Sequence, residues 1–387
     1  MPSREPQHFD KYTIGNRVKH QILTRYLDTY LTALRNLADA IHYIDGFAGR
    51  GHYGEDQAGS PLRALEILAK QPLPAFASLV EGDRDNFEDL SAAVGACLAV
   101  NSLEAAPLLC HGAFESRILD VLRSPVYRKY QRVATFAFVD PCGVKAVRMQ
   151  DLVSLLDCRY GEILLLWNYD GLNRWLGYID KQERPVTELE DFFGSVEAAR
   201  SALELVRSKM PPVDKEFALL ELFFNSLKLH SGAQFMLRFR FEADAAERTS
   251  HYLIHCAKHS LAFRLMKEVM VSAATNVSES GTFQCLGAKQ GGLTRDLFEP
   301  HLDDARERVL LHLAGGPAPV SLFTEAWVER SDDLTPASTY RRLLLDLERE
   351  GKIVVRDRSG QLKPADKRRK YLGNPTLGAD YQIHIGS

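Results

Sequence analysis

The chain has 387 residues, 45% of them hydrophobic and 26% charged, with a formal net charge of −3. The length exceeds one ordinary compact core and predicts two domains, and the balance excludes a disordered, collagen-like or membrane-embedded chain. The slightly negative charge argues against non-specific coating of nucleic acid and leaves room for a local basic face.

The longest apolar run, Ile163–Trp167, suits a buried strand and falls far short of the ~20 residues of a membrane helix. Met1-Pro2-Ser3-Arg4-Glu5 lacks the basic-then-apolar pattern of a signal peptide, so a cytoplasmic protein is expected. The cysteines at 97, 110, 142, 158, 256 and 285 form no CxxC pair and have no neighbouring His pair at zinc spacing. No metal is expected, and all but Cys142 read as ordinary thiols in a reducing compartment.

In chain order, Lys19 to Arg35 carries Ile22, Leu23, Tyr26, Leu27, Tyr30, Leu31 and Leu34 at helical spacing. Ile41–Asp45 reads as a buried strand running into a glycine-rich loop. Ser60-Pro61 reads as a helix N-cap with proline in the first turn, opening a helix over Leu62–Lys70. Strands are predicted over Phe76–Glu81, Pro107–Cys110, Thr135–Asp140 and Glu162–Trp167, with a helix over Asn86–Val94. Near-continuous apolar strands alternating with helices predict a doubly wound α/β domain over residues 1–300. A mostly helical insertion spans about 168–230. Phe235–Phe241 and Tyr252–Cys256 alternate instead, and predict an antiparallel pair closing the sheet edge. Over residues 301–387, helices at Arg306–Ala314, Val320–Val328 and Tyr340–Glu350 precede a strand at Gly351–Val355 and a turn at Arg358-Ser359-Gly360. That order predicts a C-terminal winged helix-turn-helix.

The loop Asp45-Gly46-Phe47-Ala48-Gly49-Arg50-Gly51 lies between a strand and a helix, where glycines let the backbone approach a ligand. Its spacing is not the G-x-G-x-x-G of a dinucleotide loop, and no Lys-Ser or Lys-Thr follows for a phosphate loop. An acid at the strand end with an aromatic after the first glycine resembles motif I of class I S-adenosylmethionine-dependent methyltransferases, in the D-x-F-x-G-x-G form of nucleic-acid-modifying enzymes. The resemblance implies a Rossmann-like domain in which Asp45, Gly46, Phe47, Ala48, Gly49 and Gly51 meet the methionine part of S-adenosylmethionine. It also implies that Glu81, ending the second strand, binds both ribose hydroxyls, for which a carboxylate has the acceptors. Gly112 and Ala113, in His111-Gly112-Ala113-Phe114, fall where such enzymes hold the adenine. The family's acid is missing there, which leaves backbone contacts.

Asp140-Pro141-Cys142-Gly143 ends the fourth strand. It resembles motif IV of amino methyltransferases, D/N-P-P-Y, and the D-P-F-G form of guanine-amino tRNA enzymes. A carboxylate and a proline-held carbonyl both accept hydrogen bonds from an exocyclic amine and orient its lone pair, so Asp140 and Pro141 are the catalytic candidates. Gly143 stands where the family has an aromatic, so a stacking platform has to come from Phe47, Trp167, Tyr169 or Trp175. Cys142 and Gly143 are expected to line the pocket, with Asn168, Tyr169 and Trp175 as further substrate contacts. Each motif has a plainer alternative: a glycine turn, an Asp-Pro turn, or solvated loop residues.

Together with Tyr12-Thr13, Lys19, Tyr43-Ile44, Gly59-Ser60-Pro61, Phe138-Val139 and Met266-Lys267, these motifs are similar over most of residues 9–275 to the three-Cys-motif partner proteins (TcmP). That resemblance implies a protein partner bearing a three-cysteine motif. It also puts Lys19 on a helix over the pocket, facing the cofactor carboxylate or solvent. In the C-terminal module, Arg341 and Arg342, with Lys367-Arg368-Arg369-Lys370 beside the wing, are expected to touch phosphates. The acids Asp332, Asp333, Asp346, Glu348 and Glu350 keep protein docking as the alternative. The expectation is a methyltransferase acting on an exocyclic amine of a nucleic-acid base, DNA or RNA; the alternatives are a non-catalytic adaptor and a DNA-binding regulator.

Overall fold

The computed structural model describes residues 13–54, 57–103, 105–243, 246–274, 276–277, 283–285, 299–330, 333–371 and 374–386. The chain divides into two compact units, Met1–Leu265 with Cys285–Gln290 and Met266–Gln284 with Gly291–Ser387. The second unit thus takes in Met266–Gln284 besides the segment expected from residue 301 onward.

In the first unit the principal elements are α1 (Ile14–Leu34), β1 (Ala40–Asp45), α2 (Ser60–Leu68), β2 (Ala75–Glu81), α3 (Arg84–Val100), β3 (Leu108–His111), α4 (Phe114–Leu122), β4 (Val133–Val139), α5 (Met149–Leu156) and β5 (Tyr160–Trp167). The insertion supplies α6 (Tyr169–Lys181), α7 (Val196–Arg207) and α8 (Pro212–Ser231), before β6 (Phe235–Ala243) and β7 (Ala246–Ala257). The strands lie in the order β6-β7-β5-β4-β1-β2-β3. β1 to β5 pair in parallel, and β7 is antiparallel to both its neighbours. This is an α/β fold with a mostly parallel central sheet.

Three expectations change here. The expected antiparallel pair lies beyond β5, but its antiparallel member is the inner one: β7 lies between β5 and β6, and β6 runs parallel to β5. The two strands run further than the alternating segments Phe235–Phe241 and Tyr252–Cys256, since pairing extends from Phe235↔Ala257 to Ala243↔Ala246 with register shifts around Glu242. Gly59, not Ser60, is the N-cap residue of α2; the Ser60 hydroxyl is drawn instead to Asp45.

Consecutive strand residues face opposite sides of a sheet. Phe136 and Glu162 face α1, where Tyr26 packs on Phe136 with ring centroids 5.3 Å apart and its hydroxyl donates to Glu162. Ala137 and Ile163 face the other way, into a core shared with Leu152 of α5, Leu172 of α6 and Phe223 of α8. A buried carboxylate needs partners, and Glu162 gains a second in His255 Nε2 at 3.2 Å. The Tyr26–Glu162 contact pins α1 to the sheet. Lys19 precedes Tyr26 by two helical turns and therefore shares its face.

In the second unit, α9 (Ser260–Ala273), within which the chain divides, is followed by α10 (Glu299–Ala314), β8 (Ala318–Pro319), α11 (Ala337–Arg349), β9 (Ile353–Arg356) and β10 (Gln382–Ile385). These strands lie in the order β8-β10-β9, with both pairs antiparallel. The helix expected over Val320–Val328 is shorter and wound differently: Leu322–Ala326 is a π turn, with Trp327 N donating to the Leu322 carbonyl five residues back at 2.9 Å. The wider turn lets Phe323 and Trp327 pack edge-on with ring centroids 4.9 Å apart. Lys267, fully buried, ties Met266–Gln284 to this unit by donating to the carbonyls of Val328, Arg330 and Asp333. Among the described residues, no helix is long and apolar enough to cross a membrane.

Candidate functional site

The strand order β4-β1-β2 sets three carboxyl ends side by side: Asp45 closes β1, Glu81 closes β2 and Asp140 follows β4. The loop after β1 is stitched to both flanking strands. Gly46 N donates to the Phe138 carbonyl at 2.9 Å, and Ala48 N to the Val80 carbonyl at 2.9 Å. Gly49 (φ 64°) and Gly51 (φ 88°) adopt left-handed backbone that glycine tolerates best. Gly59 N then donates to the Gly51 carbonyl at 2.7 Å, closing the loop onto α2.

Asp45 is fully buried. Its carboxylate accepts from the Ser60 hydroxyl at 2.7 Å, the Tyr43 hydroxyl at 3.0 Å and Phe47 N at 3.3 Å. Burial pushes its pKa up from 3.8 to about 7, against those three hydrogen bonds. These oxygens face into the protein and brace the loop. Glu81, half-buried, accepts from Gly49 N at 2.7 Å on Oε2 and from Asp83 N at 2.8 Å on Oε1. A carboxylate offers about four acceptor sites, so each oxygen keeps one, the set that two vicinal hydroxyls require. Gly112 N donates to the Glu81 carbonyl at 3.0 Å, and Ala113 is the N-cap residue of α4.

Asp140 is held from α1. Lys19 Nζ donates to Asp140 Oδ2, and the two side chains are only 6% and 16% exposed. Lys19 is thereby withdrawn from solvent, because the Tyr26–Glu162 anchor turns its face of α1 toward the sheet. Two histidines surround the pair. Burial, followed by the Lys19 and Arg63 charges, pushes His20 down to about 3. Burial, followed by Lys19, pushes His251 down to about 4. His251 stacks on Phe241 at 4.6 Å between ring centroids, and its Nδ1 lies 2.8 Å from Ser250 Oγ. Both rings are neutral near pH 7. Sequence reading missed His251, since its approach to Lys19 and Asp140 depends on β7 lying beside β5.

The substrate candidates divide. Cys142 and Gly143 stand beside Asp140, and a Cβ added to Gly143 would meet nothing within 4 Å. Desolvation and the Asp140 and Glu81 carboxylates push the Cys142 thiol up, the opposite of an activated nucleophile. Phe47 is half-buried and packs on Phe114 at 5.4 Å between ring centroids. Asn168 is taken by the fold: its Oδ1 accepts from Gly171 N at 2.7 Å and caps α6. Trp175 packs edge-on against Phe192, with the Lys145 ammonium 5.0 Å from its ring centroid. Tyr169 stacks on the buried Trp167 at 6.1 Å, and burial, then Glu216, pushes its hydroxyl up to about 12. Pro141, Trp167 and Asn168 also border a narrow apolar cavity with Val144, Met149 and Leu165.

In the second unit, Arg341 and Arg342 lie exposed on α11. The basic run beside the expected wing is not uniformly available. Arg368 is buried and ion-paired to Glu348, while Lys367, Arg369 and Lys370 are exposed. A guanidinium needs a buried carboxylate once it leaves water, and Glu348 supplies it.

No family model and no curated protein matches the chain. Among solved structures it is similar to a Legionella pneumophila protein, LPL1258 of family DUF519, at 14% identity, covering 70% of this chain and 99% of that one with a TM-score of 0.40. It is also similar to the O-methyltransferase TomG of Streptomyces achromogenes, solved with S-adenosylmethionine, at 10% identity, 65% and 82% coverage and a TM-score of 0.34. TYW2 of M. jannaschii, solved with AdoMet, shows 11% identity, 64% and 76% coverage and a TM-score of 0.31. Likeness at this level carries no inference about the reaction or substrate of this chain. Among the described residues, no group of three or more His, Cys, Asp or Glu is placed to hold a metal ion.

Proposed function

We propose that the first unit binds S-adenosylmethionine and transfers its methyl group to an exocyclic amine of a nucleic-acid base. One observation carries this reading: Glu81, with an acceptor site left on each oxygen, stands beside the glycine loop while Asp140-Pro141 ends the strand on that loop's other side. The donor set fits the cofactor. Gly46 through Gly51 form a backbone cradle, Glu81 takes the ribose hydroxyls, and Gly112 and Ala113 border the adenine end. Asp45 braces the cradle from beneath. When bound, the cofactor supplies an electrophilic methyl group.

The chain's own residues do the rest. Lys19 occupies Asp140 Oδ2 and fixes the carboxylate, leaving Oδ1 and the Pro141 carbonyl as acceptors for an amine N–H. Two acceptors on one nitrogen direct its lone pair outward, and such positioning supplies much of the rate. Asp140 also takes the proton that the methylated nitrogen releases.

The second unit reads as a winged helix with α11 as its recognition helix. Four of its acids are internally paired: Asp333 with Tyr340 and Arg308, Asp346 with Arg349, Glu348 with Arg368, Glu350 with Arg306. Arg341, Arg342, Lys367, Arg369 and Lys370 are left without an ion-pair partner among the described residues, a surface suited to phosphates. One observation favours the adaptor reading, in which a TcmP-like protein serves a three-Cys-motif partner: Gly143 offers no ring for a base to stack on.

Titration calorimetry with S-adenosylmethionine tests the proposal. Saturable binding is expected, and no heat at millimolar cofactor sinks it. Transfer of labelled methyl to total DNA and total RNA then decides the substrate. Label in one of them supports base methylation, and label in neither, with cofactor bound, favours the adaptor.

A further inference from the structure

We propose that the open cavity between α1 and α2 binds a phosphate group of the nucleic-acid substrate, beside the site of methyl transfer; this rests on the reading above. The cavity, of about 670 Å³, is lined by Arg17, His20, Gln21, Thr24, Gln57 and Arg63. Arg17, Gln21 and Thr24 recur at i, i+4 and i+7, so they form one stripe along α1, with His20 alongside. The lining holds two guanidinium groups, two amides, a hydroxyl and an imidazole, and no carboxylate.

Two arginines without an acid partner among the described residues share this cavity. Elsewhere in the first unit, surface arginines commonly sit on acids, as in Arg84–Glu88, Arg132–Asp39 and Arg184–Glu188. Arg17 is exposed and has no ion pair among the described residues. Arg63 donates its Nε to the Ala58 carbonyl at 2.7 Å. That bond fixes the plane of its guanidinium, while its terminal nitrogens have no partner among the described residues. A guanidinium held in orientation with free N–H groups is the geometry that recognises phosphate oxygens in pairs. The cavity is far larger than one phosphate and open to solvent, as a site on a continuous strand has to be.

Its position supports the assignment. Lys19, which fixes Asp140, directly precedes His20, which lines the cavity. A phosphate held by Arg17 and Arg63 would therefore anchor the strand next to the nucleotide presented to Asp140. Such contacts position a nucleic acid without reading its sequence.

The test is the salt dependence of binding by the full chain to labelled single-stranded RNA and DNA oligonucleotides. Removing one phosphate contact lowers the slope of log K against log salt by about 0.7 on a single strand. Arg17→Gln is expected to weaken binding several-fold and to lower the slope by that amount. Arg200→Gln, an exposed change on α7, is expected to leave both unchanged. An Arg17→Gln/Arg63→Gln chain that melts as the wild type does, yet keeps wild-type affinity and slope on both oligonucleotides, overturns the proposal. Competition with inorganic phosphate and with a 5′-mononucleotide distinguishes the source. If these bind in an Arg17-dependent way but oligonucleotide binding has no Arg17-dependent slope, the ligand is a free phosphate compound and the nucleic-acid assignment falls. Calorimetry on the same wild-type sample separates the two readings. No cofactor binding together with an Arg17-dependent slope removes the methyl-transfer reading and keeps the phosphate site.

Discussion

The loop after β1 and the loop after β4 lie next to each other, yet they are held by different means. The first is closed by backbone hydrogen bonds, by two left-handed glycines and by Asp45, whose partners Tyr43, Phe47 and Ser60 all lie within 15 positions of it. The second depends on a side chain 121 positions away, Lys19, delivered by a helix that a separate anchor pins to the sheet. A cradle closed by main-chain groups of the loop and of the two strands beside it forms with the sheet itself. A carboxylate oriented by a distant ammonium exists only in the completed fold. Binding and chemistry should therefore separate under mutation.

Asp45 gives the largest expected effect, on stability. Its pKa of about 7 in the folded protein, against an ordinary 3.8, means that between those pH values the folded chain holds a proton that the unfolded chain has released. Stability then falls as pH rises through that window, by up to about 4 kcal/mol at about 1.4 kcal/mol per unit. His20, His42 and His251, pushed down to about 3, 3 and 4 mainly by burial, act in the opposite sense and add stability as pH rises toward 6.5. The difference between Asp45→Asn and wild type, followed by urea unfolding from pH 4 to 8, isolates the carboxylate. The variant should lose less stability than wild type as pH rises to 7, and parallel curves would rule this out.

Asp140→Ala comes next. Methyl transfer should fall about 100-fold or more, while cofactor affinity by calorimetry stays within about threefold of wild type. Equal losses in both would show that the two loops act as one unit. Gly51→Ala is the converse change. It places a side chain at φ 88°, with its Cβ 3.0 Å from that of Ala93. Strain of about 1–3 kcal/mol is expected, seen as a lower melting temperature and about tenfold weaker cofactor binding. Turnover at saturating cofactor should change little. A Gly51→Ala chain with wild-type affinity would mean that the cradle does not depend on its glycines.

Much of this contrast is visible in the sequence, for a physical reason. Asp45, Gly49, Gly51 and Glu81 announce themselves because strand ends, turns and glycines are local properties, and the parallel strands follow from their apolar runs. Partnerships across the fold are not local. Lys19 gives no sign of its pairing with Asp140 until α1 is pinned by Glu162. His251 carries no signal until β7 enters the sheet beside β5. Asn168 and Trp175 have the chemistry of substrate contacts, and only the folded insertion shows them capping α6 and packing on Phe192. Arg368 looks like its neighbours in the basic run until Glu348 is found against it.

Cys142→Ser should have the smallest effect, and it sharpens the transfer half of the comparison. A covalent route would need a thiolate at Cys142, formed at neutral pH and set against the Asp140 and Glu81 carboxylates. Loss of solvent, and then those charges, raises the thiol pKa, so the thiolate is scarce where it would be needed. Serine keeps the shape and a hydrogen-bonding group but is a far poorer nucleophile. If the residue only lines the pocket, methyl transfer by Cys142→Ser stays within about twofold of wild type, because no bond to the substrate is lost. A collapse comparable to that of Asp140→Ala would instead mark Cys142 as the attacking group. Trapping of the substrate on the wild-type chain but not on the variant would then be expected, and Asp140 would move from accepting the amine to assisting the thiol.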